Sequence, residues 1–583
     1  MTNPSRADAS PTTEANRHDR ADATRVGQGI PSRLASRGFV GLLLTQFLTA
    51  WNDNMFRWLI IPIGKPVLGS AESLALGLIC FTLPYRLLAS LAGLLAGRFA
   101  KTRVVFGCKI AQLVVMLIGL LALAIGEPVF VFATVALMGA QSALFSPSKM
   151  GLIPELLPVS SLSTGNGLMG MMTVVSSALG TVAGTLLFAY NPIVLGQASL
   201  SDLWGPGCAL LGVAALGLIA SLFIERQTAA DPQRPFVWNP VPETIRGLKI
   251  LASQRALFRT AWGIGFFWLL ASLSQVNIDS FAMQELQLPQ REVGVLLAVL
   301  VLGLGAGSLL AGWCSGGRVE LGLVPIGAAG IIAASIALAI VGGQANLHSP
   351  TLTSVVFSGV GLFLLGISAG LFNIPLEAFL QHRSELRVRG TVLATSNFLT
   401  FSMMMLAGGL FYGMQRGLGF SASQIFLTAG LATVPVLWYA VAIIPQATVR
   451  MIVWLASRTI YRVRIYGRES IPETGGALLV PNHVSWIDGI MILLSSSRHI
   501  RMLAYADYVN NWKVRWVAKL FGVIPIRADD GPKALLRSLK AAREAVENGE
   551  LVCIFAEGRL TRTGQVQTFQ RGMMRIIEGL PVP

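Results

Sequence analysis

Twelve long apolar stretches run along the chain, at about 37–63, 71–97, 103–125, 128–147, 165–189, 205–224, 257–282, 292–314, 321–342, 351–378, 390–414 and 424–446. Each has the length of a spanning helix, which needs roughly 20 mostly apolar residues. Short polar connections separate them, so the pattern predicts a polytopic helical bundle. The connection at about 225–256 is longer and basic, and it divides the runs six and six. That is the layout of transporters built from two repeated halves. The fourth run ends ALFSPSKMGLIPE (143–155) and the tenth ends GLFNIPLEAF (370–379). Each carries Leu-Phe, then Pro, then Glu. As Pro-broken helix ends in matching places, they point to a central cavity or its gate.

The pattern changes after residue 447. Apolar runs become short and charged residues frequent. GALLV (476–480) reads as a strand, FGVIPIRADD (521–530) contains a second, and LVCIFAEG (551–558) is a buried strand running into a glycine turn. Between them, 533–550 places Leu535, Leu536, Leu539, Ala542 and Val546 at helical spacing, and Asn548-Gly549 marks its end. Strands alternating with helices predict an α/β domain over 448–583. MIVWLASRTIYRVRIYG (451–467), apolar with interspersed arginines and aromatics, reads as an interfacial helix.

Composition agrees. Only 13% of the 583 residues are charged and 53% are hydrophobic, against about 25% charged in soluble proteins. The net charge of +16 does not indicate nucleic acid, because no basic-aromatic patch accompanies it. Basic loops facing an anionic leaflet account for it. Arginines and lysines crowd the tail and the even connections (Arg33, Arg37, Arg98, Lys101, Lys149, Arg226, Lys249, Arg318, Arg383), while the odd ones hold only Lys65, Arg291 and Arg416. This positive-inside bias puts both ends of the bundle, and everything after it, in the cytoplasm. Residues 1–32 read as a disordered cytoplasmic tail, with no signal-peptide core. The cysteines Cys80, Cys108, Cys208, Cys314 and Cys553 form no CxxC or Cys/His pattern, so no metal and no disulfide are expected.

Charges inside apolar runs are the candidate transport chemistry. FLTAWNDNMFRWLIIP (47–62) puts Asn52, Asp53, Asn54 and Arg57 in the first run, with Asp53 and Arg57 four apart and able to pair. Arg86, Asp279 and Glu377 lie in the second, seventh and tenth. Structural pairing between helices is the competing use of each. An acid could carry a cation or bind an amine head group, and an arginine could bind phosphate. TQFLTAWNDN (45–54), FSPSKMGLIPEL (145–156), GNGLM (165–169) and FNIPLEAFLQHR (372–383) resemble the major facilitator superfamily, and within it the bacterial lysophospholipid transporters. The resemblance covers most of 37–447, which defines an expected transporter domain of 33–447. It implies facilitated flipping of lysophospholipid, chiefly lysophosphatidylethanolamine, to the inner leaflet. The superfamily motif in GLLAGRFAKTR (93–103) departs at Gly97, where Asp is usual.

The enzyme-like chemistry starts at NHVSWIDG (482–489). His483 and Asp488 are five apart and would not share a face of one helix. They can meet only if His483 sits on a loop just before a helix. Imidazole is then a base suited to neutral pH, and a carboxylate on its other nitrogen fixes the tautomer. Alone, this spacing equally fits a surface histidine beside a capping aspartate. With GVIPIR (522–527), FAEGRLTRTG (555–564) and LPVP (580–583) it resembles the four blocks of the glycerolipid acyltransferases, closest to the bacterial 2-acylglycerophosphoethanolamine type.

That resemblance implies His483 as general base, Asp488 as its partner, and Arg527, Glu557, Gly558 and Arg559 holding the acceptor's phosphate and glycerol. Arg527, Arg559 and Arg562 also fit plain surface charges, and Lys533 and Lys540 a solvated helix face. Ala556 stands where the family has Pro. The co-substrate would be an acyl thioester of acyl carrier protein or coenzyme A, with no bound cofactor. The chain stops inside the fourth block, so an incomplete catalytic domain is expected, with a separate acyl-acyl carrier protein synthetase as a partner. The resulting expectation is a bacterial inner-membrane protein that flips lysophospholipid inward and reacylates it. Two rivals use the same residues: a transporter of another amphiphile or drug, or a catalytically inactive lipid-docking module at the C-terminus.

Overall fold

The computed structural model describes residues 34–583 apart from 158–161, 192, 196–199, 230–231, 233–240, 316–318, 348–350, 385–388, 462, 468–469, 473, 497, 513, 528–530 and 562–564. The expected tail at 1–32 and Arg562 lie outside the described residues. The chain divides into two compact units, 1–320 with 326–437, and 321–325 with 438–583.

The first unit is helical. Its long helices are α1 (Arg37–Leu68), α2 (Ser70–Arg98), α3 (Lys101–Ile125), α4 (Pro128–Leu156), α5 (Leu162–Tyr190) and α6 (Leu200–Ser221). After the short α7 (Val241–Ser253) come α8 (Arg255–Ser280), α9 (Gln290–Ser315), α10 (Leu323–Leu347), α11 (Leu352–Arg383), α12 (Arg389–Tyr412) and α13 (Ala422–Ile443). Each of the twelve apolar runs is one of these helices. Eleven of them are long and apolar enough to cross a membrane. The twelfth, α1, equals the longest but carries Asn52, Asp53, Asn54 and Arg57 in its middle; Asn52, Asp53 and Arg57 are buried and Asn54 is half-buried. Ser36 caps α1 and Thr351 caps α11, each oxygen accepting from a first-turn backbone N–H.

Three expectations need correction. The matching prolines do not break their helices: α4 runs through Pro147 and α11 through Pro375. A spanning helix tolerates the one missing N–H because packed neighbours hold its course. The long connection contains the amphipathic helix α7, where no element was expected. The interfacial helix starts at Pro445, not 451, and α14 (Pro445–Ile460) stops before YRVRIYG. Pro445 sets its first turn.

Within each half, glycines let backbones touch. Gly303 and Gly307 of α9 interleave with Gly366 and Gly370 of α11. A Cβ at Gly307 would lie 2.7 Å from the Ile367 carbonyl carbon, and one at Gly366 2.6 Å from the Leu304 nitrogen. Two small-xxx-small stripes facing each other provide close van der Waals contact where lipid offers no hydrophobic drive.

The second unit is a parallel sheet between helices. Its elements are β1 (Ala477–Leu479), α15 (Asp488–Ser495), β2 (Ile500–Tyr505), α16 (Ala506–Asn510), α17 (Arg515–Leu520), β3 (Ile524–Ile526), α18 (Pro532–Glu547), β4 (Leu551–Cys553) and α19 (Met574–Ile577). Strand order is β1-β4-β2-β3, all parallel. β2 was not expected, because HIRMLAY interrupts its apolar residues with Arg501. That guanidinium is held by the Gly522 carbonyl at 3.0 Å and by Glu550 at 3.2 Å. Strand alternation sends Val552 and Leu503 to a core with Leu539, Ala542 and Val546 of α18. It sends Leu551, Cys553 and Ile500 to a second core on the opposite face, with Ile492 of α15. Cys553, fully enclosed there, has its thiol pushed up to about 12 by burial.

Candidate functional site

In a parallel sheet the loops after every strand leave from one edge, where α/β proteins build their sites. β1 and β4 are neighbours, so the loops at 480–487 and 554–561 meet there although some 70 residues separate them. His483 lies on the first loop and Asp488 opens α15, the arrangement that their five-residue spacing demanded. His483 Nδ1 is 3.2 Å from Asp488 Oδ2. The same oxygen accepts the backbone N–H groups of Val484 at 2.6 Å and Ser485 at 2.7 Å. Partial burial pulls the Asp488 carboxyl up, but these backbone bonds and His483 together hold it below the usual carboxylate range. Asp488 is therefore an anion at neutral pH. With Nδ1 turned to it, Nε2 is the nitrogen available to a substrate. The imidazole also stacks on Phe555, centroids 4.0 Å apart.

Glu557 is 2% exposed. Its two oxygens accept the backbone N–H of His483 at 3.1 Å and of Gln567 at 3.1 Å. Thr561 N–H donates to the His483 carbonyl at 2.8 Å. The loop after β4 thus clamps the loop after β1. Gly558 makes the turn, with φ +70, a conformation that disfavours side chains. Arg559 is exposed and its Nε donates to Gln567 Oε1 at 2.6 Å. Farther along the same edge, Arg527 after β3 pairs with Asp507 after β2.

The bundle contains a second constellation. Asp53 is buried and accepts from Ser142 Oγ at 2.5 Å and Gln112 Nε2 at 3.3 Å. The expected Asp53–Arg57 pair does not form. Asp53 turns into the first half, whereas Arg57 reaches Asn54 Oδ1 at 3.1 Å and, in the second half, Gln275 Oε1 at 3.3 Å. Asn54 also donates to Ser177 Oγ at 3.2 Å. Arg86 is exposed and lies over the Phe398 ring at 5.5 Å. Glu377 accepts from Asn373 at 2.8 Å.

Asp279, fully buried, is not with them. It bonds Lys65 Nζ at 2.6 Å, while Gln290 Nε2 donates to its other oxygen at 3.1 Å. The apolar pattern places Lys65 in a connection, but α1 extends past it. Glu72 and Arg416, 3.7 Å apart, make a second bridge between halves at the same end of the bundle. Two further lysines stand here: Lys109 lies within the third apolar run, where its charge is the available signal, and Lys149, which the apolar pattern places in a connection, falls inside α4. Among the described residues no group of three His, Cys, Asp or Glu side chains could hold a metal.

Residues 42–409 match the family described as Major Facilitator Superfamily, and residues 462–583 match Acyltransferase. Among curated proteins, a lysophospholipid transporter LplT of Yersinia enterocolitica is 28% identical over 388 residues, 65% of this chain and 87% of that protein. Its namesake in Serratia proteamaculans is 27% identical, over 65% and 89%. Among solved structures, a POT family transporter in complex with a thioalcohol conjugated peptide superposes with a TM-score of 0.55 at 14% identity, covering 71% of this chain and 97% of its own. The E. coli fucose:proton symporter gives 0.50 at 14% identity, covering 69% and 97%. At that identity the two structures speak to the fold alone.

Proposed function

Since the chain belongs to the Major Facilitator Superfamily and carries an Acyltransferase segment behind the bundle, we propose that it moves lysophospholipid across the bacterial inner membrane and reacylates it on the cytoplasmic side. Lysophosphatidylethanolamine is the first substrate to test. The observation that carries the reading is the His483–Asp488 pair on a parallel-sheet edge, in one chain with a bundle similar to lysophospholipid transporters. The arginine and lysine bias along the connections supports cytoplasmic termini. The domain boundaries that go with the reading are 33–447 and 448–583.

In the acyl transfer, the lysolipid hydroxyl gives its proton to His483 Nε2 as its oxygen attacks the carbonyl carbon of an acyl thioester. The imidazolium formed is stabilised by Asp488 through Nδ1–H. Collapse of the tetrahedral intermediate breaks the C–S bond, and the thiolate takes the proton back from His483. The products are a diacyl phospholipid and a free thiol, of acyl carrier protein or coenzyme A. Arg527 and Arg559, on the same strand edge, are suited to the acceptor's phosphate. Glu557 is a positioning residue: with both oxygens engaged by backbone N–H groups, it holds the histidine loop.

The test supplies labelled lysophosphatidylethanolamine to spheroplasts lacking their own uptake and acylation activities. Wild type accumulates labelled diacyl lipid. His483→Ala accumulates the lyso form inside, its acylation lower by about 100-fold or more. Uptake of label with no diacyl product in wild type would overturn the enzyme half, and no uptake would overturn the transport half.

A further inference from the structure

The interior of the first half holds more positive charge than its own acids answer. Arg57 is occupied by Asn54 and Gln275, and Asp53 by Ser142 and Gln112. Two ammonium groups remain. Lys109, fully buried, donates to Gln112 Oε1 at 2.5 Å and to Thr49. Lys149, partly accessible, donates to Gln46 Oε1 at 2.9 Å. Neither has a carboxylate within ion-pair distance among the described residues. Both face the Phe145 ring, at 5.2 and 5.6 Å from its centroid.

This arrangement is built. The Gln112 amide donates to Asp53, so its oxygen is fixed toward Lys109. The Gln46 amide donates to Thr173 at 2.8 Å, so its oxygen is fixed toward Lys149. Beside them in α4, Ser148 Oγ and Gln141 Nε2 are buried donors with no acceptor among the described residues. Removing an ammonium from water is costly, and neutral oxygens with a ring face offset only part of that cost. An ammonium has three donors, and the bonds described leave one on Lys109 and two on Lys149. A group carrying one negative charge and two free oxygens offers acceptors to these donors and answers one of the two ammonium charges.

We propose that Lys149, reinforced by the field of Lys109, binds the phosphodiester of the transported lysophospholipid. The inference rests on the reading of the bundle as a lysophospholipid transporter. Lys149 makes the direct contact and Lys109, enclosed beside the same ring, adds its charge through the interior, where screening by water is weak. Recognition is then of the phosphodiester that lysophospholipids share, and head groups other than ethanolamine are accepted as well.

The test measures the concentration dependence of labelled lysophosphatidylethanolamine uptake into spheroplasts. Lys149→Gln raises the half-saturating concentration about tenfold or more, as loss of a charge-assisted bond does. Lys109→Gln raises it by a smaller factor, and Lys149→Arg retains at least half of wild-type uptake. Lysophosphatidylglycerol competes, while a chain-matched monoacylglycerol, the corresponding fatty acid and inorganic phosphate do not. Wild-type saturation in both glutamine variants sinks the lysine site and leaves the transport reading standing. Competition by fatty acid or by inorganic phosphate that vanishes in Lys149→Gln overturns the assignment in favour of a carboxylate or a free-phosphate site. If wild type takes up no lysophospholipid, the transport reading falls and this inference with it.

Discussion

At the scale of single residues, spacing was a good guide where chain geometry forces contact and a poor one where it only permits it. His483 and Asp488 can meet in one way, across a loop that enters a helix, and they do. Asp53 and Arg57 sit on one helix face, yet each finds a better partner on another helix, which the local sequence cannot reveal. Glu557 was visible as a residue, but its partners are backbone N–H groups of His483 and Gln567 that only the fold supplies. Its engagement separates two roles. Glu557→Ala should lower kcat for acyl transfer about tenfold or more, from the loss of two charge-assisted bonds, while KM for the lysolipid stays within about twofold. A residue that gripped the acceptor would raise KM instead.

His499 gives a pH test of the same unit. Burial holds its imidazole below the usual histidine value of about 6.5; Arg501 adds to this and Glu550 opposes it. The unfolded chain therefore binds the extra proton more readily. His499 contributes stability above about pH 6.5 that is lost as pH falls through its lower folded value. Hydrogen exchange of the Ile500–Tyr505 amides, corrected for intrinsic rates, should show protection falling below pH 6.5 in wild type and a flatter profile in His499→Gln.

At the scale of elements, every spanning helix was legible, because about twenty apolar residues in a row admit few other fates. The short pieces were not. β2 hid behind Arg501, and Lys65 passed for a loop because helix ends are the least certain part of any such reading. That lysine turns out to tie α1 to α8 across the halves, with Gln290 of α9 as a third member. Removing one partner leaves a buried charge alone, at roughly 3–5 kcal/mol. Asp279→Asn or Lys65→Met should therefore release this end of the bundle. A cysteine placed at Thr185, enclosed beside Gly294, should label faster in either variant. The swap of Lys65→Asp with Asp279→Lys should restore protection.

At the scale of the whole molecule, the proposed function would gain from covalent linkage, which raises the effective concentration of transported lysolipid at the acyltransferase without any new contact. If the acylation step draws transport forward, it acts on the extent of uptake rather than its initial rate. His483→Ala should start uptake within about twofold of wild type, since a step after transport leaves a rate measured before product builds up unchanged. It should then level off lower, because unacylated product can return. A time course of total label per cell reads both quantities.

The strand order has a temporal meaning as well. Among the described residues β4 is the latest strand in sequence, yet it is inserted between β1 and β2. The first three strands cannot close a continuous sheet without it, and the loop that clamps His483 follows it directly. During synthesis, the helices leave the ribosome and enter the bilayer long before residue 551 is added. The sheet of the Acyltransferase segment is thus completed only after the bundle has been made. Until its central strand arrives, the growing protein is a membrane-inserted bundle followed by a segment with an open sheet edge, and that interval is when chaperones and proteases have most access to that segment.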